Sequence, residues 1–217
     1  KASPFVVLLG KGQHQVTMNT DEEPSLEITR SNITFIGKGI DTTTILGELD
    51  INDQRNIIIK QLTVTNTIGT HGIYIVNSEV EMVDVVVTRC QDNGLSVYSD
   101  ENLEEKVQVV LIRCQLIDNE YGVNTGDLAN FKMTDCIVRD NRDTGMFISG
   151  QSTVHVHGEA TAIHSNGRMG IYAKALSKVF IHLPSHHNTI YNNGGEEGEE
   201  RENRYTDTGA TITNVED

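Results

Sequence analysis

The sequence predicts an all-β fold in which the chain winds as a solenoid of about seven coils made of short parallel strands. Two observations in its 217 residues support this prediction. Apolar and polar residues alternate with period two over short stretches, and helical periodicity is absent nearly everywhere. A glycine followed by alternating apolar residues also recurs at intervals of 22, 28, 23 and 25 residues. The glycines are Gly72, Gly94, Gly122, Gly145 and Gly170.

Equivalent residues of stacked coils should form columns, with neighbours about 4.8 Å apart as in a parallel sheet. Alignment on the repeat glycines predicts two columns that point inward and fill the core. The first column is Ile73, Leu95, Val123, Met146 and Ile171. The second column is Ile75, Val97, Thr125, Ile148 and Ala173.

Three Asp-Asn pairs come shortly before repeat glycines and align as a column of aspartates beside a column of asparagines. The aspartates are Asp92, Asp118 and Asp140, and the asparagines are Asn93, Asn119 and Asn141, followed by Asn166 and Asn193. Asparagine tolerates the left-handed backbone conformation, so we expect the asparagines to make the turns. Stacked carboxylates repel unless they splay into water or share a cation such as Ca²⁺. The column continues as Ser165 and Asn192, which suit turns equally well, so turn formation is the main interpretation and a Ca²⁺ site the alternative.

The charge is strongly acidic, with 31 acidic against 17 basic residues and a formal net charge of −14. This balance argues against nucleic acid as a partner and disfavours anionic lipid, and it disfavours polyanionic sugars unless a cation mediates. We expect no membrane insertion, because no apolar run approaches 18 residues. A cluster of five glutamates lies at 196–202, so we place the β-helical domain at 1–193 and an acidic loop and tail at 194–217.

The compartment stays open at this stage. The first residue is Lys1 rather than Met, which indicates a processed form or a fragment. A single sequon, Asn32-Ile33-Thr34, slightly favours an extracellular or assembly-associated location. The three cysteines, Cys90, Cys114 and Cys136, lie in apolar stretches and are expected to be buried free thiols. A disulfide between Cys114 and Cys136 is the less favoured alternative.

The repeat "Asn-x-Ile-x-x-Asn … Gly-Ile-x-Ile" resembles that of right-handed parallel β-helix proteins of the pectin-lyase-like superfamily, in particular their carbohydrate-binding and sugar-hydrolase repeat group. The segments "FVVLLGKGQHQV" and "SNITFIGKGIDTTTILG" are similar to the opening coil of such proteins. The resemblance extends over roughly 4–193 and implies a single-stranded right-handed parallel β-helix. It does not specify a function, because the superfamily includes lyases, hydrolases, esterases, epimerases and non-enzymatic surface proteins.

None of the catalytic signatures implied by this resemblance is complete. The hydrolase motif Asn-Thr-Asp is interrupted at Gly126, and the esterase motif needs a Trp that the chain lacks. A lyase of this superfamily would use calcium-binding carboxylates with an arginine base. The residues available for that role are Asp100, Asp127 and Arg113.

Two outward groups of residues are candidate binding sites. The strands that follow the repeat glycines should present aromatic and polar side chains on which a sugar could stack or form hydrogen bonds. These candidates are Tyr74, Tyr98, Asn124, Phe147, Tyr172 and Lys174. A strand preference for tyrosine, or a terminal extension that covers this face, explains the aromatic residues equally well.

The second group consists of histidines. His155 and His157 share one side of a strand, and the register places His182 beside His157, which makes the three a candidate transition-metal or general-base site. His186 and His187 follow shortly after. Ordinary outward polar positions are the simpler interpretation, because no carboxylate has a matching register.

These observations favour a non-catalytic β-helix module that binds carbohydrate or is a structural component of a larger surface assembly. Its expected partners are polysaccharide or other protein subunits, with no cofactor apart from Ca²⁺ at the aspartate column. The alternative is a polysaccharide-active enzyme of the uronate lyase or epimerase type.

Overall fold

A computed structural model describes residues 3–18, 24–99, 107–184, 189–194 and 203–216. These residues form 23 β-strands, and every ladder between two strands is parallel. The first twelve are β1 (Phe5–Leu8), β2 (Gly12–Gln15), β3 (Ser25–Glu27), β4 (Ile33–Ile36), β5 (Thr43–Leu46), β6 (Glu48–Asn52), β7 (Ile57–Thr65), β8 (Ile73–Val76), β9 (Glu79–Thr88), β10 (Asn93–Tyr98), β11 (Gln108–Ile112) and β12 (Gln115–Ile117). The others are β13 (Tyr121–Gly126), β14 (Asn130–Thr134), β15 (Ile137–Arg139), β16 (Met146–Ile148), β17 (Thr153–His157), β18 (Ala162–His164), β19 (Ile171–Ala173), β20 (Lys178–His182), β21 (Ile190–Tyr191), β22 (Arg204–Thr206) and β23 (Thr211–Val215).

The strands stack into a three-faced rod of about seven coils. One face is an eight-stranded sheet that runs from β3 through β6, β8, β10, β13, β16 and β19 to β22. The other two faces belong to a 15-stranded sheet, because the long strands β7 and β9 run through the corner between them. One of these faces continues as β11, β14, β17, β20 and β23, and the other as β12, β15, β18 and β21. The all-β solenoid predicted from the glycine spacing is therefore confirmed.

The core lies inside the rod and is built from the two predicted inward columns. In the eight-stranded sheet Ile73 pairs with Leu95, Leu95 with Val123, and the column continues in register through Met146 to Ile171. The side chains of this column are completely buried. Because apolar residues occupy alternate positions, each strand turns one side inward and leaves the other side for solvent or ligand.

The sequence predicts that the β-helix ends at residue 193, whereas in the structure the β-helix continues beyond this residue. Strand β22 pairs with β19, and β23 pairs with β20, so residues 203–216 continue two of the three faces. The alternation in β23 is short and follows the glutamate cluster, so the sequence pattern indicates a tail rather than a strand there. The glutamate cluster at 196–202 lies outside the described residues, which contain no apolar helix of membrane-spanning length.

The asparagines form a buried ladder inside one corner of the rod, and this corrects the prediction that they make the turns. Its buried members are Asn119, Asn141, Asn166 and Asn193, and the exposed Asn203 is its last member. Each of the first four donates from its backbone and side-chain nitrogens to the Oδ1 of the next member, and all distances lie between 2.7 and 3.3 Å. Their Nδ2 atoms also donate to backbone carbonyls of the preceding coil. The amide side chains therefore satisfy polar groups that the bend of the chain leaves without strand partners.

The left-handed conformation falls on the residue before each of the first four ladder asparagines. Asp118, Asp140, Ser165 and Asn192 have φ between 51° and 57°. An aspartate suits this position because it tolerates left-handed geometry and leaves its carboxylate in water. Aspartate and asparagine both favour turn conformations, so the sequence pattern does not distinguish them. The structure distinguishes them by burial, because the asparagine amide takes the inward position.

Asn93 and Asp92 do not belong to these columns. Asn93 pairs with Tyr121, and the ladder position in its coil is taken by Cys90, whose backbone N–H donates to Asn119 Oδ1 at 3.0 Å. Asp92 instead precedes Glu120 and Asp143 in a neighbouring column. Asp118 and Asp140 are therefore neighbours in one column and Asp92 lies outside it, so the predicted register of three aspartates is wrong.

The repeat glycines are required by the ladder rather than by the backbone conformation. A Cβ on Gly122 would lie 2.6 Å from the carbonyl oxygen of Gly145 and 2.8 Å from Asn141 Nδ2. The same crowding occurs at Gly94 and Gly145, where the amide of the next ladder asparagine lies 2.6 and 2.7 Å from the added atom. Glycine recurs because a side chain at this position would displace the asparagine amide.

We expect the substitution Asn141→Ala to destabilise the fold strongly. It removes the acceptor of the Asn119 N–H and the donor to the Leu116 carbonyl, both buried. At about 1–3 kcal/mol for each buried group left unpaired, the free energy of unfolding should fall by about 3 kcal/mol or more. Chemical denaturation measures this difference.

Asn93→Ala is the matched control, because Asn93 and Asn141 are 2% and 1% exposed. Asn93 donates to Ser96 Oγ at 3.0 Å, and its Oδ1 has no hydrogen-bond partner. Its removal should therefore cost less. Equal losses in the two variants would contradict the special role of the ladder.

The three cysteines are buried free thiols, as the sequence predicts. Burial raises the pKa of Cys90 to about 12. The hydrogen bond between Cys114 and Cys136, together with burial, raises the pKa of Cys114. Cys114 and Cys136 are neighbours on adjacent coils, with the Cys114 backbone nitrogen 3.4 Å from Cys136 Sγ.

We expect these thiols to be inert in the folded protein at pH 8, because all three lie inside the rod and a reagent cannot reach them. A chromogenic disulfide reagent should detect none of the three in the native protein and all three in denaturant. A count of one in denaturant would instead show that Cys114 and Cys136 form a disulfide.

Candidate functional site

The outward side of the eight-stranded sheet carries a row of aromatic side chains, which we call the aromatic face. It consists of Tyr74, Tyr98, Tyr121, Phe147, Tyr172 and Tyr205. One column runs in register from Tyr74 through Ser96, Asn124, Phe147 and Tyr172 to Tyr205. The column predicted from Tyr74 to Tyr172 is therefore present. Tyr205 was missed because residue 205 was assigned to the tail.

The rings of the aromatic face fall into two groups. His71 stacks on Tyr74 with ring centroids 5.3 Å apart, and Tyr74 contacts Tyr98 at 5.8 Å. Ser96 and Asn124 then interrupt the row, and Ser96 is fully buried with its hydroxyl bound by Asn93. This interruption separates the first group from a second group further along the rod.

The second group is a chain of edge-to-face contacts. Phe147 contacts Tyr121 at 5.9 Å and Tyr172 at 5.2 Å, and Tyr172 contacts Tyr205 at 5.1 Å. The angles between the ring planes are 64°, 87° and 68°. The rings therefore do not form one flat surface, because the row alternates ring faces and ring edges.

Charged side chains border both groups. The ammonium of Lys174 lies 4.6 Å from the centroid of Phe147, a cation–π contact that covers one side of this ring. Burial, followed by the nearby carboxylates Asp143 and Glu120, raises the pKa of Tyr121. Burial and then Asp50 raise the pKa of Tyr74 in the same way. These phenols are therefore neutral donors at physiological pH.

Sequence reasoning did not identify two carboxylates at the other end of the column. Glu27 pairs in register with Asp50, which pairs with Tyr74. Burial raises the pKa of Asp50, and repulsion from Glu27 raises it further. A hydrogen bond from Asn52 opposes both effects and offsets them in part. In these two coils Ser25 and Glu48 stand where later coils have the repeat glycine, so the glycine pattern does not extend to them.

The candidate catalytic residues do not come together. Arg113 lies at one corner of the rod and Asp127 at another, separated by the five residues of β14, or about 16 Å at 3.3 Å per residue. Asp100 lies outside the described residues. Arg113 binds both carboxylate oxygens of Asp84 at 2.7 and 2.8 Å. This pair raises the pKa of Arg113, which opposes a role as base.

The three histidines lie together on a different face of the rod. His155 Nδ1 and His182 Nε2 are 2.9 Å apart, and the rings of His157 and His182 stack with centroids 3.9 Å apart. One potential ligand atom from each of the three residues lies within 4.8 Å of the other two. Burial, then the charges of His182 and Lys132, lower the pKa of His155.

The chain belongs to the right-handed β-helix family. The model of the family described as "Right handed beta helix region" matches residues 14–173 and 47–215, which together span most of the chain. The comparison with curated proteins gives no significant match.

Solved structures that are similar to this chain include three enzymes. The A-module of the mannuronan C-5 epimerase AlgE6 from Azotobacter vinelandii is 15% identical, with a TM-score of 0.50 over 96% of this chain and 66% of that chain. A pectin methylesterase in complex with a hexasaccharide is 11% identical, with a TM-score of 0.39 over 99% of this chain and 85% of that chain. The pectate lyase Pel9A is 10% identical, with a TM-score of 0.39 over 91% of this chain and 69% of that chain.

At these identities the likeness concerns the fold alone. The chain spans about two-thirds of the length of the epimerase module. The β-helix fold is thus shared with polysaccharide-active proteins, and the activity of this chain has to be argued from its own side chains.

Proposed function

We propose that this protein is a non-catalytic β-helix module that binds a neutral carbohydrate chain along its aromatic face. The observation that carries the proposal is the row formed by Phe147, Tyr172 and Tyr205, whose ring centroids repeat at 5.2 and 5.1 Å along the rod. These three successive coils thus each offer one aromatic ring at the same outward position.

The coil spacing matches what an extended glycan needs. Successive coils advance by about 4.8 Å, which is close to the advance of one pyranose residue in an extended chain. A glycan lying parallel to the axis would therefore place one sugar ring at each coil. Ring faces offer apolar contact for the C–H groups of the sugar, whereas the phenol hydroxyls and Asn124 offer hydrogen bonds.

The charge of the protein favours a neutral sugar over a uronate. The net charge of −14 repels polyanions, and Glu120, Asp143 and Asp207 lie near the tyrosines of the second group. Lys174 is already placed over Phe147. A uronate chain would need a bridging cation or a cationic surface larger than this single lysine.

We expect Tyr172→Ala to weaken glycan binding at least tenfold, because Tyr172 contacts both Phe147 and Tyr205 and stands at the centre of the row. A tenfold loss corresponds to about 1.4 kcal/mol, which is modest for a central aromatic residue of a binding site. The measurement is a panel of immobilised neutral glycans and uronates, with and without Ca²⁺, followed by calorimetric titration of each glycan that binds.

Tyr191→Ala is the matched control. Tyr191 is 37% exposed and stacks on His164 on a different face of the rod, so its loss should leave the affinity unchanged. Absence of binding to every glycan, or an equal loss in the two variants, would overturn the proposal. In that case a protein partner in a larger surface assembly becomes the better explanation of the aromatic face.

A polysaccharide-active enzyme is the second candidate, and one observation favours it. Glu27, Asp50 and Tyr74 lie side by side, and Asp50 has a raised pKa, as a general acid requires. Incubation with uronate polymers should then release an unsaturated product that absorbs in the ultraviolet, and Asp50→Asn should abolish it. Appearance of this product would overturn the non-catalytic proposal.

A further inference from the structure

The three histidines are placed together by the strand register. His155 and His157 point outward from β17, because the alternate residues Val154 and Val156 are buried in the core. Strand β20 pairs with β17 in register from Thr153 to Val156. The next position sets His182 beside His157. This face is formed by the 15-stranded sheet, so it is separate from the aromatic face.

The nitrogen atoms are close to the arrangement that one metal ion requires. Zinc–nitrogen bonds of about 2.0–2.1 Å in tetrahedral geometry place two ligand nitrogens about 3.3 Å apart. Here one pair is 2.9 Å apart, and one ligand atom from each residue lies within 4.8 Å of the other two. The imidazole rings would have to rotate out of their stacked arrangement to bring three nitrogens to a common centre.

The rings are also held in place by packing. His155 stacks on Phe180 at 5.1 Å, and His157 stacks on His182 at 3.9 Å. All three side chains are half-buried, which lowers the entropy that binding would remove.

The histidines line a groove with room for further ligands. Its volume is about 360 Å³, and its other walls include Gln108, Asn130 and Lys132. A metal bound by three imidazoles would therefore keep a position open to water or to an external ligand, as in catalytic rather than structural sites. Lys132 pairs in register with His155, and its positive charge repels cations. A cation that lacks a specific affinity for imidazole is therefore disfavoured in this groove.

We propose that His155, His157 and His182 form a binding site for one divalent late transition metal ion, Cu²⁺ or Zn²⁺. Imidazole ligands suit these ions, whereas Ca²⁺ and Mg²⁺ prefer oxygen ligands. The order of affinities for nitrogen ligands predicts that Cu²⁺ binds more tightly than Zn²⁺. The site does not depend on glycan binding.

Calorimetric titration of the full chain with Cu²⁺ and with Zn²⁺ tests the proposal, and electron paramagnetic resonance of the Cu²⁺ form reports its nitrogen ligands. One ion should bind per chain, with nitrogen couplings in the spectrum, and millimolar Ca²⁺ or Mg²⁺ should not compete. His157→Ala and His182→Ala should each weaken binding at least tenfold. Circular dichroism of the variants verifies the fold, and His157→Gln provides a second variant with a polar side chain of similar length.

His164→Ala is the control, because His164 stacks on Tyr191 on another face and contacts Ser165 Oγ. It should bind both ions like the unmodified chain. The double variant His186→Ala/His187→Ala, which alters residues outside the described ranges, should also keep the binding. Absence of one-to-one binding overturns the proposal. Loss of binding in either of these two controls also overturns it, as does a His157→Ala variant that binds with the affinity of the unmodified chain.

Discussion

The backbone hydrogen bonds between successive coils determine the rest of this structure. Because every strand ladder is parallel and in register, each residue stands about 4.8 Å above its equivalent in the coil below. A position that is apolar and inward in one coil must therefore be so in the next. A buried polar side chain must find its partner in the neighbouring coil, and the asparagine ladder meets this requirement at one corner.

The same constraint produces both candidate sites. Tyr172 lies beside Tyr205, and His157 beside His182, since outward positions are repeated in the same way as inward ones. The two sites occupy different faces, so a ligand at one leaves the other accessible. A rod of this kind can thus carry separate binding surfaces without any change in its core.

Much of the fold could be predicted from the sequence, because glycine spacing and two-residue alternation are local signals. The inward columns and the outward tyrosines followed directly from this alignment. The asparagines were placed wrongly, because Asp and Asn both suit left-handed turns and only burial distinguishes Asn141 from Asp140. The coil at Cys90 was shifted because a thiol replaces the asparagine there and the nearby Asn93 imitates the motif.

The candidate sites could be predicted only in part. Register predicts that His157 and His182 are neighbours, but it does not predict that His155 Nδ1 reaches His182 Nε2. Side-chain rotation also set the edge-to-face contacts of Phe147 and the salt bridge between Arg113 and Asp84. Side-chain rotamers depend on packing against neighbouring side chains in the folded protein, and residue spacing in one sequence does not predict that packing.

Cys90 marks where the ladder begins, and this gives the rod an internal boundary. Asn66, one coil earlier, directs its amide to its own loop, where it bonds Gly69 and His71. From Asn119 onward the amides are aligned head to tail, so that their dipoles polarise one another along the axis. In a nearest-neighbour description, the coils after Cys90 share a coupling that the earlier coils lack. In this description the rod consists of two blocks that differ in this coupling, joined at the coil that carries a thiol in place of an amide.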